Sequence, residues 1–344
     1  MNTPLTNTTK QMKQKNIVLV TETLKSLVSA TKAEIAAHTG LSLPTCGTIL
    51  NDLCAQEEVL EESLEESRGG RPAQRYTYNQ DYFNVLSIYA EGSKECAVIA
   101  YSVRSATGKM IEEGSDSFQA ITVENFVDYI QQRINTYPNI QVIGVGLPGV
   151  VVNGHVFSCD LSVFEGVSIT EQLREKFGVF VQAGNDMNYT AFGFYRNNCR
   201  NEQAPVAYIY MPEGHCAGCG LVIAGKMLRG ATQFAGEVSK LPFYKGIDES
   251  TREIDPETDV INKLNNVIAS LIAVINPVTI ALSGDAIKKE TFAAVKSYLQ
   301  QNFHQDHLPT FVLRDNINAD YHYGITEYTL DAFNKYRIFG HVVQ

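Results

Sequence analysis

One order of elements occurs twice in this chain. Alternating apolar residues predict strands over about 83–90, 95–103 and 108–114, the last two separated by the turn "SATGK". A helix over about 123–136 follows, then the strand "QVIGVGLP", a helix over about 168–177, the strand "VFVQAG" and the helix "MNYTAFGFYRNN". The order then restarts. "PVAYIYM" reads as a strand, and "GLVIAG" with "KMLRGA" as a hairpin. The helix "VINKLNNVIASLIAVIN", the strand "VTIALSG", the helix "AIKKETFAAVKSYLQQN", the strand "TFVLRD" and the helix "GITEYTLDAFNKY" close the chain. Two such runs imply two similar α/β lobes with a cleft between them. The first lobe spans about 81–198 plus the C-terminal helix, and the second about 199–320. Interlobe clefts take small ligands, and lobe closure is their usual motion.

Residues 1–80 have a different pattern and are expected to form a separate domain. "NIVLVTETLKSLVSA" sets Ile17, Val20, Leu24, Leu27 and Val28 on one helical stripe. In "TKAEIAAHTG", Thr31 and Glu34 make a capping box, and Gly40 is a C-terminal stop. "LSLPTCGTILNDLCAQ" has Ser42 as N-cap and Pro44 in the first turn. Cys46, Ile49, Leu50 and Leu53 share its buried face, leaving Thr45, Gly47, Thr48 and Asn51 outward. A support helix followed by two short helices and a Gly turn is a helix-turn-helix. Val59 and Leu60 then open a strand, "RGGRP" forms a basic tip and "QRYTYN" returns, which adds a wing. The expected unit is a winged helix-turn-helix that binds DNA. Ser42, Thr45 and Thr48 serve the recognition helix, and Arg68, Arg71 and Arg75 the wing. An arginine on a glycine-flanked tip suits a narrow minor groove. No Lys or Arg lies between Lys32 and Arg68, so phosphate contacts fall to Lys13, Lys15, Lys32 and the wing. A protein-interaction module is the other use of such a unit.

Charge separates the two parts. Residues 1–80 carry eight basic and nine acidic residues, and the remainder 20 and 29. The net charge of -10 argues against general affinity for polyanions, so any DNA-binding function belongs to the first quarter. The polar stretch "MNTPLTNTTKQMKQKN" lacks the apolar centre of a secretory signal, and no apolar run nears the ~20 residues of a membrane span. The expected location is the cytoplasm. Seven scattered cysteines are not a disulfide framework. Cys216 and Cys219 form a lone C-x-x-C that reads as two thiols in a Gly-rich hairpin, since a zinc site needs four ligands.

Five stretches carry a family resemblance: "GVGLPGVVVNG", "GNDMNYTAFG", "GLVIAGKMLRGA", "FAGEVSKLPF" and "VINPVTIALSG". With "GGRP" at the wing, they make the chain resemble the ROK family of sugar kinases and sugar-responsive repressors. The resemblance implies an N-terminal winged helix-turn-helix followed by a two-lobed actin/hexokinase-like, ribonuclease H-like domain. It also implies that Asn185 and Asp186 match the pair that binds sugar hydroxyls, with Asp186 at the position of the kinase general base. A carboxylate accepts two hydroxyl bonds, and an amide both donates and accepts. The same pair can instead form the turn and N-cap of the next helix, the commoner duty of an Asp there. Glu237 matches a motif glutamate, Lys240 stands where that motif has His, and Asp160 lies near a position where the family often has Asn. Lys240 points to an acidic group on the ligand, such as a carboxylate or phosphate.

The nucleotide side departs from the family pattern. Its Asp-x-Gly-Gly-Thr reads "YAEGS" here, with Tyr89 for the Asp, Glu91 for the first Gly and Ser93 for the Thr. A phosphate loop needs glycine so that backbone N–H groups can approach the anion, and Glu91 opposes it with a negative charge. The second phosphate hairpin reads "GHCAGCG", with His215 and Cys216 in place of Thr and Gly. Residues 241–258 contain no Cys or His, so the family's zinc segment is missing. The expectation is a non-enzymatic transcriptional regulator, a repressor, with no ATP, magnesium or zinc and with Asp186 as a vestigial base. Its partners would be operator DNA, a sugar or sugar-derivative effector, and a second copy in a homodimer or tetramer, with no membrane. The alternative is an ATP-dependent sugar kinase with a fused DNA-binding domain.

Overall fold

The computed structural model describes residues 9–62, 73–92, 96–199, 202–213, 217–245 and 256–340. The first unit comprises α1 (Thr9–Leu27), β1 (Ser29–Thr31), α2 (Lys32–Thr39), α3 (Leu43–Ala55), β2 (Val59–Glu61) and β3 (Arg75–Tyr78). Its helices start and stop on the residues that favour it. Thr31 and Glu34 form the reciprocal capping box of α2, Gly40 ends it at φ 70, and Ser42 accepts from the Thr45 N–H to cap α3. Cys46, Ile49, Leu50 and Leu53 bury the inner face of α3. The antiparallel sheet has the order β1-β3-β2, with Val59 opposite Tyr78. Val28 departs from the helical stripe that the sequence suggests. It is 73 % exposed at φ 66, because the chain leaves α1 there to pair Ser29 with Thr77. Thr77 Oγ1 donates to the Val28 carbonyl at 2.9 Å, so a partner remote in sequence decides where the helix ends.

The first lobe contains β4 (Asn84–Gly92), β5 (Ala97–Ser105), β6 (Met110–Phe118), α4 (Val123–Thr136), β7 (Ile140–Leu147), β8 (Gly149–Val152), β9 (His155–Cys159), α5 (Ile169–Phe177), β10 (Phe180–Asn185) and α6 (Asp186–Asn198). The second contains β11 (Val206–Tyr210), β12 (Gly218–Ile223), β13 (Lys226–Met227), α7 (Pro242–Lys245), α8 (Pro256–Val274), β14 (Thr279–Ser283), α9 (Lys289–Asn302) and β15 (Thr310–Arg314), and the last helix, α10 (Asn318–Phe339), returns to pack on β4, β7 and β10 of the first lobe. Their sheets run β6-β5-β4-β7-β10 and β13-β12-β11-β14-β15. Each is an antiparallel triplet extended by two parallel strands, so the duplicated element order becomes a duplicated topology. Burial follows position in the sheet. Central β4 is buried from Asn84 to Ala90, whereas edge strand β6 alternates exposed residues through "MIEEGSDSF".

Helices α6 and α10 cross between the lobes at a glycine contact. A Cβ on Gly193 would fall 1.9 Å from the Asp320 carbonyl oxygen, and one on Gly324 would fall 1.8 Å from that of Tyr189. Neither position tolerates a side chain without parting the helices. The 22 residues of α10 span about 33 Å. Asp320 pairs with Arg314 of β15 at 3.1 Å, Ile325 and Thr329 lie on Gly144 of β7, and Phe333 meets Phe83 at 5.5 Å between ring centres. The core of the N-terminal unit continues into this region. Leu24, Leu50 and Tyr78 belong to one buried cluster with Val85, Val142, Phe180 and Ala332.

Candidate functional site

Strands β4, β7 and β10 run parallel, and Tyr89, Gly146 and Gly184 lie level across them. Ligands of open α/β sheets bind beyond such carboxyl ends. Two residues beyond that level stand Glu91, near the end of β4, and Asp186, the first residue of α6 directly after β10. They flank Pro148, whose carbonyl oxygen accepts from the Asp160 N–H at 2.9 Å. Three of the acidic residues of the cleft are thus arranged by strand register and one backbone bond.

Asn185 and Asp186 divide their duties in the opposite sense to the simplest reading of the sequence. Asn185 is the N-cap of α6, its Oδ1 accepting from the Asn188 N–H at 2.9 Å. Its Nδ2 donates to the Gly149 carbonyl at 3.1 Å and to Asp186 Oδ1 at 2.8 Å. Asp186 is released from capping, and its half-buried carboxylate faces the cleft. Burial raises its pKa to about 7 against a backbone hydrogen bond at Met187, and the charges of Asp160, Glu237 and Glu91 push the same way. Glu91 is half-buried, and burial raises it above the usual carboxylate range. Glu237 approaches from the second lobe after Gly236, which has φ 95 and whose Cβ would fall 2.3 Å from the Cys219 carbonyl oxygen. Burial raises Glu237, Lys240 lowers it, and Asp160 raises it again. Asp160 and Lys240 are exposed.

Tyr89 is buried and stacks on Tyr321 of α10 with ring centres 4.3 Å apart, while the His322 ring lies 4.9 Å away. Ser87 Oγ and His322 Nδ1 are 3.1 Å apart, and burial lowers the His322 pKa to about 4, with Arg104 acting in the same direction. Tyr321 and His322 are the site residues that sequence reasoning missed. They are separated from β4 by more than 200 positions, and nothing local marks them.

The candidate DNA residues lie on the N-terminal unit. Ser42 and Thr48 are exposed and Thr45 is half-buried. The Lys32 ammonium lies over Gly47, 3.3 Å from where a Cβ would stand, so a cation borders the uncharged face of α3. Arg75 is tied inward. Its Nε donates to Ser29 Oγ at 3.0 Å, one Nη donates to the Ser29 carbonyl at 2.9 Å, and Glu34 lies at 3.4 Å. Arg68, Arg71, Ser93, His215 and Cys216 lie outside the described residues.

Two lobes of one strand order, hinged on crossing helices, define the actin/hexokinase-like class of α/β proteins. A ROK family transcriptional regulator, described as a homologue of the E. coli MLC protein, superposes with a TM-score of 0.70 over 96% of this chain and 100% of that one, at 15% identity. A ROK hexokinase from Thermus thermophilus superposes with a TM-score of 0.56 over 74% and 99%, at 16% identity. At these identities the likeness establishes the fold. The ROK family model matches residues 97–244. The xylose repressor of Caldicellulosiruptor bescii is 25% identical over 241 residues, 66% of this chain. The chain spans 58% of the length of that relative.

Proposed function

We propose that the chain is a sequence-specific DNA-binding repressor that responds to a sugar or sugar derivative held between its lobes. The N-terminal unit supports a winged helix-turn-helix: α2 and α3 form the paired helices and β2 and β3 the strands of the wing, while Arg68 and Arg71 lie outside the described residues. Thr45 and Thr48 on α3 are the base-reading candidates, with Ser42 at the helix start. Arg75 shapes the base of the wing. In the cleft, Asn185 orients Asp186, and Asp186, Glu237 and Asp160 accept sugar hydroxyls.

The observation that carries the reading is that one rigid helix reaches both places. Tyr321 near the start of α10 lies under the cleft, and Arg337 near its end donates two 2.8 Å hydrogen bonds to Glu58 beside α3. Lobe closure around a ligand therefore moves the element on which the N-terminal unit rests. The ligand must prefer the DNA-incompetent placement, since equal affinity for both shifts nothing. Paired winged helices suit a near-palindromic operator, so the assembly we propose is a homodimer or a tetramer of cytoplasmic protein. Among the described residues no helix is long and apolar enough to cross a membrane.

The kinase reading keeps Asp186 as its base. It also needs a triphosphate beside β4, and the residues there do not fit one. Tyr89 is walled in by Tyr321 and His322, and Glu91 sets a carboxylate where the anion would lie. We therefore infer neither ATP nor magnesium as a ligand. For zinc, residues 241–258 offer no Cys or His, and among the described residues no three metal-ligating side chains converge. The test is selection of operator DNA from random sequence, followed by titration of the complex with sugars. D-xylose comes first, because one relative is named a xylose repressor. Absence of sequence preference in the selected DNA would overturn the repressor reading.

A further inference from the structure

We infer that the cleft selects a sugar carrying a protonated amine, and that Glu91 is the residue that distinguishes it from its neutral counterpart. The inference rests on the sensor reading above and names the ligand class of that site.

Strand register sets the argument. Glu91 stands near the end of β4 and Asp186 directly after β10, two strands apart, which separates their backbones by about 10 Å, room for one pyranose ring. Asp160 is latched to Pro148 between them, and Glu237 closes the ring from the second lobe. None of these four carboxylates has an ion pair within 4.0 Å among the described residues, and the cation that acts on Glu237 is Lys240. That lysine is exposed and offset by Glu237, so it does not make the cleft a site for an acidic ligand. Nor do the carboxylates converge on a point as metal ligands would. The negative charge surrounds a volume of sugar size, and an organic cation is what fits it.

A second observation comes from below the carboxylates. Tyr321 is 1% exposed, and its Oη has no hydrogen-bond partner among the described residues. The hydroxyl lies against bare Gly146, 2.2 Å from where a Cβ would stand, one step beneath the level of Glu91 and Asp186. Asp186 and Glu91 are the carboxylates whose charge acts on it. A buried donor in this position lacks an acceptor, and a ligand hydroxyl adjacent to the amine supplies one. Burial raises Asp186, Glu237 and Glu91 above the usual carboxylate range, with repulsion from neighbouring carboxylates adding to it at Asp186 and Glu237, so their ionised forms are disfavoured in the empty cleft. An ammonium group relieves that repulsion, a neutral hydroxyl does not, and a phosphate adds to it.

Calorimetric titration of the full chain at pH 7 tests this. The probes are D-glucosamine, D-galactosamine and D-mannosamine, each against its 2-hydroxyl and N-acetyl counterparts, with D-xylose as a further neutral sugar. One amine should bind about tenfold or more tightly than both of its counterparts. Glu91→Gln should reduce that ratio to about threefold or less, and Asp160→Asn, at an exposed position, should reduce it in the same direction. A neutral sugar, xylose included, that binds as tightly as every amine overturns the inference and leaves the sensor reading standing. An amine preference unchanged in both variants also overturns it. If none of the sugars binds, both readings fall.

Discussion

Arg337 and Glu58 form a two-pronged ion pair, Nη1 to Oε1 and Nη2 to Oε2, both at 2.8 Å, joining the end of α10 to the N-terminal unit. The Glu58 side chain is 1% exposed, and it also accepts from Tyr78 Oη at 3.0 Å. A buried ion pair adds little net stability, but removing one member strands the other. Arg337→Ala should therefore cost roughly 3–5 kcal/mol, read from urea unfolding of the full chain. Replacing the pair together, as Glu58→Gln with Arg337→Met, should cost much less. If α10 carries the signal, this double variant still binds operator and effector, and the effector no longer displaces it from DNA. Full displacement in the double variant would remove Arg337 from the signalling route.

The wing arginines separate by what holds them. Arg71 is the second arginine of the sequence "RGGRP" and lies outside the described residues. Arg75 bonds Ser29 at two atoms and joins β3 to β1. Arg71→Ala should weaken operator binding by roughly 1–3 kcal/mol and leave the unfolding midpoint unchanged. Arg75→Ala should lower the midpoint, because Ser29 loses both contacts. Mobility-shift titrations and thermal melts of the two variants distinguish these roles. Equal loss of operator affinity with no change in melting for either would show that Arg75 faces the DNA.

Much of the fold is legible in the sequence because its signals are local. Thr31 with Glu34 and Ser42 with Thr45 cap their helices as the sequence implies, and the repeated element order becomes two sheets of one topology. The β8–β9 hairpin is not among the expected elements, although its signal is present. Asn153 and Gly154, at φ 55 and 82, form the Asn-Gly turn that favours a tight hairpin. Other features have no local signature. The exposed end of α1 at Val28 is decided by β3, and the Tyr89–Tyr321 stack joins residues from opposite ends of the two-lobed unit. At Asn185 and Asp186 the sequence permits either residue to cap α6. Only the position of Gly149, whose carbonyl takes the Asn185 amide, selects the arrangement that leaves Asp186 to the cleft.

That arrangement makes Asp186 the residue on which effector response depends. Asp186→Ala removes a carboxylate bonded to Asn185 and facing the cleft, and it lies far along the chain from α3. Operator titrations of this variant should follow the wild-type curve without effector and should not shift when effector is added. A normal shift would place the effector elsewhere.

The raised pKa of Asp186 also makes stability depend on pH in a definite direction. Unfolded, the group titrates near its ordinary 3.8, and folded, at about 7. Between those values the folded chain holds a proton that the unfolded chain has released, so stability falls as pH rises through this window and levels off above it. Glu91 and Glu237 are raised by burial too and add to the same trend. Asp186→Asn removes the largest of these contributions without changing the shape of the site. The variant should gain stability relative to wild type at pH 8 and show little difference at pH 4, measured by urea unfolding at both values. Effector should reverse part of the wild-type trend, because a bound ammonium favours the ionised carboxylate and shifts its pKa down. A wild-type curve that rises from pH 5 to pH 7, with Asp186→Asn parallel to it throughout, would mean that Asp186 is ionised in the empty cleft across that range.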